Sequence, residues 1–178
     1  MGHTILTVGH STRALDDFIA MLKAHGVERL IDVRTVPRSR TNPQFNRETL
    51  PEALAARGIG YEHDARLGGL RHARRDSPNT GWRNASFKGY ADHMATADFN
   101  NGVTELIEIA DREVPAIMCA EAVPWRCHRS LIADALLVRG IPVEHIMSAE
   151  KKHPHKMTPF ARVKNGEITY PAESLDLD

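Results

Sequence analysis

The sequence predicts an α/β protein: an open, mostly parallel sheet of about five strands, helices on both faces, and a C-terminal hairpin. Three observations carry that reading. Short apolar runs rich in β-branched residues recur along the chain, most are followed by a segment of helical period, and glycine or proline closes most of these segments. Strands alternating with helices imply right-handed crossovers and a parallel sheet covered on both sides. The length of 178 residues suits a single domain, 1–178, with 151–178 as a peripheral tail.

Thr4 to Val8 (TILTV), stopped by Gly9, reads as the first strand. Ser11 or Thr12 is expected to cap a helix whose apolar positions Leu15, Phe18, Ile19 and Leu22 run toward Gly26. Arg29 to Val33 (RLIDV) is the second strand, and Pro37 and Pro43 make the stretch from Thr35 to Asn46 a loop at its carboxyl end. A helix over Glu48 to Arg57 and a short third strand over Ile59 to His63 follow. Asp64 to Lys88 has little periodicity and is long for a connection, which marks it as a functional or mobile loop. Gly89 to Ile109 is expected as helix in two pieces, broken around Asn100–Gly102. Val114 to Cys119 (VPAIMC) is the fourth strand, His128 to Arg139 a helix ended by Gly140, and Pro142 to Met147 the fifth strand. Asn165–Gly166 places a type I′ turn in the tail.

Composition narrows the function classes. Apolar residues make up 42% and charged residues 26% of the chain, so a core forms without disulfides or metal, and a disordered chain is excluded. No apolar stretch approaches the ~20 residues of a membrane span, and the five-residue apolar run at the start is too short for an export signal. The cytoplasm is the expected compartment, with Cys119 and Cys127 as reduced thiols. Net charge is zero, from 23 basic and 23 acidic side chains, yet the signs are segregated. Arg66 to Lys88 holds six Lys/Arg against Asp76 alone, Val33 to Arg47 holds four arginines and no acid, and Asp98 to Glu121 holds six acids against Arg112. A basic face is the electrostatic footprint of phosphate-bearing partners.

In open parallel sheets the ligand crevice lies at the carboxyl ends of the strands, and His10, Arg34 and Cys119 each follow a predicted strand. They are expected to converge. The segment Cys119–Arg129 runs from a strand into a helix, where free backbone N–H groups make an anion site and depress the pKa of a nearby thiol. Arg34, Arg38, Arg126 and Arg129 are candidate phosphate ligands, with Ser11, Cys127 and His128 beside them. Six residues separate Cys119 from Arg126, one more than in the thiol phosphatases, which counts against a phosphocysteine mechanism. Cys119 is therefore either a reactive thiol or a small buried strand-end residue. Zinc is the competing reading of Cys119, Cys127 and His128, but no second ligand pair at the usual spacing is evident, so neither metal nor cofactor is expected. Glu121 is either the counter-ion of the arginines or an acid/base or nucleophile, with His10 or Asp32 as helper; Asp32 and Arg34 equally form a structural ion pair. Arg40, Arg71, Arg74, Arg75, Trp82, Arg83 and Lys88 interleave cations with an aromatic, a pattern suited to nucleic acid, although Trp82 also fits a hydrophobic lid.

Taken together, Thr7–Ser11 (TVGHS), Asp32–Arg34 (DVR), Pro37, Ser39, Pro43–Asn46 (PQFN), Leu67–Gly69 (LGG), Gly89–Asp92 (GYAD), Cys119–Glu121 (CAE) and Cys127–Ser130 (CHRS) resemble the bacterial family described as domain of unknown function four-eight-eight. The resemblance runs from about Thr4 to Met147. It implies a compact cytoplasmic α/β protein, and some members carry the label DNA repair protein. Fold does not decide function, so the site has to. The leading expectation is a hydrolase or glycosylase-type enzyme acting on nucleic acid or a nucleotide, with Glu121 as acid/base or nucleophile. A non-catalytic nucleic-acid-binding module is the alternative, and a thiol enzyme using Cys119 is the third reading.

Overall fold

The computed structural model describes residues 3–172 and forms one six-stranded sheet of order β3-β2-β4-β1-β5-β6 with a separate two-stranded hairpin. The strands are β1 (Ile5–Gly9), β2 (Arg29–Asp32), β3 (Gly60–His63), β4 (Pro115–Cys119), β5 (Val143–Ile146) and β6 (Lys152–Pro154). The first five are parallel, and β6 pairs antiparallel to β5 at the edge. The five expected strands are present; β6 is an addition.

Alternation along each strand sends one set of side chains to each face. Leu6, Val8, Leu30, Ala116 and Met118 pack with Phe18, Ile19 and Leu22 of α1 (Leu15–Ala24) and with Leu50 and Leu54 of α2 (Leu50–Ala55). Ile5, Ile31, Val33 and Ile117 face α3 (Ala85–His93), α4 (Ala97–Ala110) and α5 (Arg129–Val138). Helices α1 and α5 end at Gly26 and Gly140, whose φ of 72° and 79° allow the closing turn.

Three local expectations are corrected. Ser11 does not cap α1: the N-cap is Ala14 without a side-chain bond, and Ser11 sits at a positive φ of 52° with its N–H on the Ala120 carbonyl at 2.9 Å. The break between α3 and α4 falls at Met94–Thr96, because Thr96 Oγ1 accepts from the Phe99 N–H at 3.3 Å and starts α4, which continues through Gly102. The tail is not wholly peripheral. Tyr170 is fully buried, β6 extends the sheet, and the hairpin β7 (Arg162–Lys164) and β8 (Glu167–Thr169) turns at Asn165 and Gly166, both of positive φ.

At the carboxyl end of the sheet the ladder continues past the strands. His10 N–H donates to the Cys119 carbonyl at 3.0 Å and Val33 N–H to the Met118 carbonyl at 3.0 Å, so the chain segments leaving β1, β2 and β4 stay together. Gly9 is what lets the loop after β4 cross β1. A Cβ there would lie 1.9 Å from the Glu121 carbonyl oxygen.

Candidate functional site around Cys119

A cavity of 490 Å³ opens at the carboxyl ends of β2 and β4, where the strand order predicts a crevice. Cys119, Cys127 and His128 line it, Val36, Leu70, Phe87 and Tyr90 give it apolar walls, and Arg34, Arg38, Glu121 and Arg126 add charge. The wall residues arrive on the loops after β2, β3 and β4 and on α3. The α3 wall is seated by Asn84, whose Oδ1 accepts from the N–H groups of Ser86 and Phe87, and by the Tyr90 hydroxyl, which donates to the Leu67 carbonyl at 2.8 Å.

Beneath the cavity lies the side chain that organises it. Arg129, the first residue of α5, is fully buried, and its donors are distributed over four acceptors. Nε donates to Cys119 Sγ at 3.1 Å, Nη1 to Thr7 Oγ1 at 2.7 Å, and Nη2 to the carbonyls of Glu121 and Ala122 at 2.8 and 3.0 Å. No carboxylate pairs with it among the described residues. A buried guanidinium without a counter-ion is costly, and the one ionisable group it touches is the Cys119 thiol. Burial pushes that thiol up, but the Cys127 thiol, the Arg129 charge and the Glu121 backbone outweigh it and bring it down to about 7.

Cys127 moves the other way. Burial and the adjacent Cys119 push it well above the ordinary thiol range, so it keeps its proton. His128 next to it is neutral, held down to about 4 chiefly by burial. Its Nε2 lies 2.8 Å from the Val33 carbonyl, which can only accept; the proton therefore sits on Nε2, and the Nδ1 lone pair faces Cys127 Sγ at 3.6 Å. Two thiols in one cavity are thus pulled in opposite directions, Cys119 down and Cys127 up.

The other expected site residues take varied places. Asp32 and Arg34 form a buried bidentate pair at 2.9 and 2.6 Å; Asp32 also accepts from the Tyr61 hydroxyl at 2.5 Å, and Arg34 donates to the Phe45 carbonyl at 2.7 Å. Asp32 does not line the cavity. His10 sits behind Arg34, 3.5 Å from its Nη1, with its ring stacked on Phe45 and Nδ1 on the Ser11 carbonyl at 2.8 Å. Burial leads the causes that hold His10 below its ordinary pKa. So Arg34, Cys119 and Glu121 converge on one cavity, with His10 one side chain behind. Glu121 is exposed at the rim and accepts from the Val123 N–H at 3.3 Å. Arg129, expected as a phosphate ligand, is instead committed inside the protein.

Several cations of the two basic loops are also occupied. Arg38 pairs with Glu48 and Arg74 with Asp76 at the surface, while Arg71 holds the carbonyls of Gly68 and Ala65. Arg40, Arg75, Arg83, Lys88 and Arg126 make no ion pair among the described residues. Trp82 packs on Phe87, Phe160 and Tyr170 with ring centroids 4.9, 4.8 and 5.5 Å away, which is the lid arrangement and commits its faces to the protein. No group of His, Cys, Asp and Glu among the described residues is arranged to hold a metal. No helix among them is long and apolar enough to cross a membrane. Thr7, Tyr61 and Tyr90 were not anticipated as partners of the site. The signal for Thr7 is a polar residue in the middle of the apolar strand ILTVG.

No curated protein and no solved structure matches the chain. One family model does, over residues 14–136, which include β2 and the whole Cys119–Arg129 segment. The chain therefore belongs to the family whose description is domain of unknown function DUF488.

Proposed function

We propose that the protein is a thiol-dependent enzyme acting on a small anionic substrate of the nucleotide class, with Cys119 as nucleophile. The observation that carries this is the buried Arg129 guanidinium, which has no carboxylate partner among the described residues and rests on Cys119 Sγ at the base of an open cavity. A thiolate attacks an electrophilic carbon or phosphorus, and the bond to the leaving group breaks as that group takes the Cys127 proton. Water then cleaves the sulfur-linked intermediate, and its proton returns to Cys127. The cavity volume falls within the ~300–1,000 Å³ of small-molecule sites, its walls suit a planar apolar body, and Arg126 at the rim suits an anionic group. Reduced thiols fit a cytoplasmic setting. Some members of the family carry the label DNA repair protein, and a modified nucleotide, free or within a strand, is the substrate that fits both that label and the cavity.

This reading moves the nucleophile from Glu121 to Cys119, because Asp32 and His10 are engaged in the packing around Arg34 and do not line the cavity. The test is incubation with a panel of nucleotides and modified oligonucleotides. Product formation lost in Cys119→Ser supports the thiol mechanism; product undiminished in that variant removes it, and a loss confined to Glu121→Gln favours a carboxylate mechanism. Non-catalytic binding of nucleic acid is the second reading, favoured by Arg40, Arg75, Arg83 and Arg126, which make no ion pair among the described residues. It predicts steep salt dependence with no product.

A further inference from the structure

Arg129 is one end of a buried chain of hydrogen bonds that leaves the thiol cavity and crosses to the C-terminal segment. Its Nη1 donates to Thr7 Oγ1 at 2.7 Å; Thr7 Oγ1 lies 2.5 Å from His145 Nδ1; His145 Nε2 lies 2.8 Å from His155 Nδ1; and His155 Nε2 lies 2.7 Å from Asp134 Oδ1. Thr7, Arg129 and Asp134 are fully buried, and His145 is buried.

With Nδ1 of His155 as its lone-pair nitrogen, the direction of the chain follows from its two ends. A guanidinium only donates and a carboxylate only accepts. Thr7 therefore accepts from Arg129 and gives its own hydrogen to His145 Nδ1, His145 carries its proton on Nε2 and donates to His155, and His155 donates from Nε2 to Asp134. Each link has one donor and one acceptor. Asp134 is saturated, since Oδ1 also accepts from the Thr158 N–H at 3.1 Å and Oδ2 accepts from the hydroxyls of Thr158 at 2.6 Å and Tyr170 at 2.8 Å. A neutral His145 is what such a chain requires. Burial, the largest cause, together with the nearby Arg129 charge, holds His145 down to about 3.

We infer that Asp134, His155, His145 and Thr7 are positioning residues for the Cys119 thiolate, fixing Arg129 so that its Nε stays on the sulfur. The inference rests on the thiol reading of Cys119 and adds to it a role for strand β5 and the segment that carries His155. Without Thr7 Oγ1 the guanidinium loses its Nη1 anchor and the hold on its orientation from the β1 side. The anchors that remain, the Glu121 and Ala122 carbonyls, lie on the loop after β4. Of the titratable groups around Cys119, Cys127, His128, Glu121, Arg34 and Arg126 line the same cavity and Tyr90 forms part of its wall. None of them belongs to the chain, so a shift produced through the chain reports on Arg129.

The test reads the pH dependence of Cys119 alkylation by iodoacetamide, followed peptide by peptide by mass spectrometry. The wild-type chain, Thr7→Val, Thr7→Ser and His155→Asn are compared. Thr7→Val keeps the shape and removes the hydroxyl; it is expected to raise the inflection by about one unit and slow alkylation roughly tenfold at pH 6.5. His155→Asn is expected to move it in the same direction by less, and Thr7→Ser to restore the wild-type profile. Profiles of Thr7→Val and His155→Asn that superimpose on an intact wild-type inflection near pH 7 overturn the chain while leaving the thiol reading standing. A wild-type inflection at the ordinary thiol value overturns the thiol reading itself. Should a variant fail to fold, the wild-type protein supplies a second readout: capping Cys119 is expected to shift the ring nitrogen resonances of His145 and His155, and unmoved resonances overturn the inference.

Discussion

Two buried arginines stand at the carboxyl end of the same sheet, and their surroundings separate a structural charge from a chemical one. Arg34 follows β2 and meets a carboxylate: Asp32 takes it in a bidentate grip, Tyr61 and Phe45 complete the arrangement, and the pair is neutral within itself. Arg129 begins α5 and meets no carboxylate among the described residues, only backbone carbonyls, a hydroxyl and a thiol. A satisfied ion pair has little charge left to lend, whereas an uncompensated guanidinium stabilises whichever neighbour can become negative. The comparison explains why Cys119, and neither Asp32 nor Glu121, carries the proposed chemistry.

Breaking the paired arginine is expected to have the largest effect. Asp32→Asn leaves Arg34 buried against a neutral amide and is predicted to cost about 3–5 kcal/mol in urea denaturation. Arg129→Met tests the other side of the comparison. It is predicted to move the Cys119 thiol part of the way back toward its ordinary value, since the Cys127 thiol still lowers it, which slows its alkylation at neutral pH by roughly tenfold. An Arg129→Met protein that alkylates at the wild-type rate would place the cause of the low thiol value elsewhere.

Gly9→Ala sharpens the role of the loop between the two. The added Cβ meets the Glu121 carbonyl, whose oxygen is one of the anchors of Arg129, so the loop must shift. A loss of about 1–3 kcal/mol is expected, together with slower Cys119 alkylation. The smallest expected effect is on stability against pH. The folded value of Cys119, about 7, lies below its ordinary value of 9.0, so the thiolate's contribution is complete above about pH 9 and is lost as pH falls through 7. Cys119→Ser should flatten that arm of the stability curve.

Much of this fold was legible because its signals are local. Apolar runs marked the five parallel strands, and the glycines after α1 and α5 marked helix ends. Strand β6 was not, since Lys152–Pro154 are exposed and carry no apolar pattern; only the pairing to β5 makes them a strand. The helix break was misplaced because Asn100 and Gly102 look like breakers, while the Thr96 cap acts through a single hydroxyl. At the site, the strand-end rule brought Arg34 and Cys119 to one cavity, with His10 behind Arg34 rather than in the lining. It could not tell an arginine aimed at solvent from one turned inward, because Arg126, on the turn before α5, and Arg129, at the start of α5, are close neighbours in sequence that differ in direction. The chain from Thr7 to Asp134 was equally hidden. Its hydrogen-bonded partners are up to 138 positions apart, and Thr7 and Asp134 each read alone as one polar residue in an apolar stretch.

The most direct measurement is the ratio of alkylation at Cys119 to that at Cys127 in the unmodified protein across pH 5 to 10. Cys119 is expected to react first, with a midpoint near 7, while Cys127 stays protected until well above 9. Equal reactivity of the two thiols, or a midpoint for Cys119 at the ordinary thiol value, would contradict it.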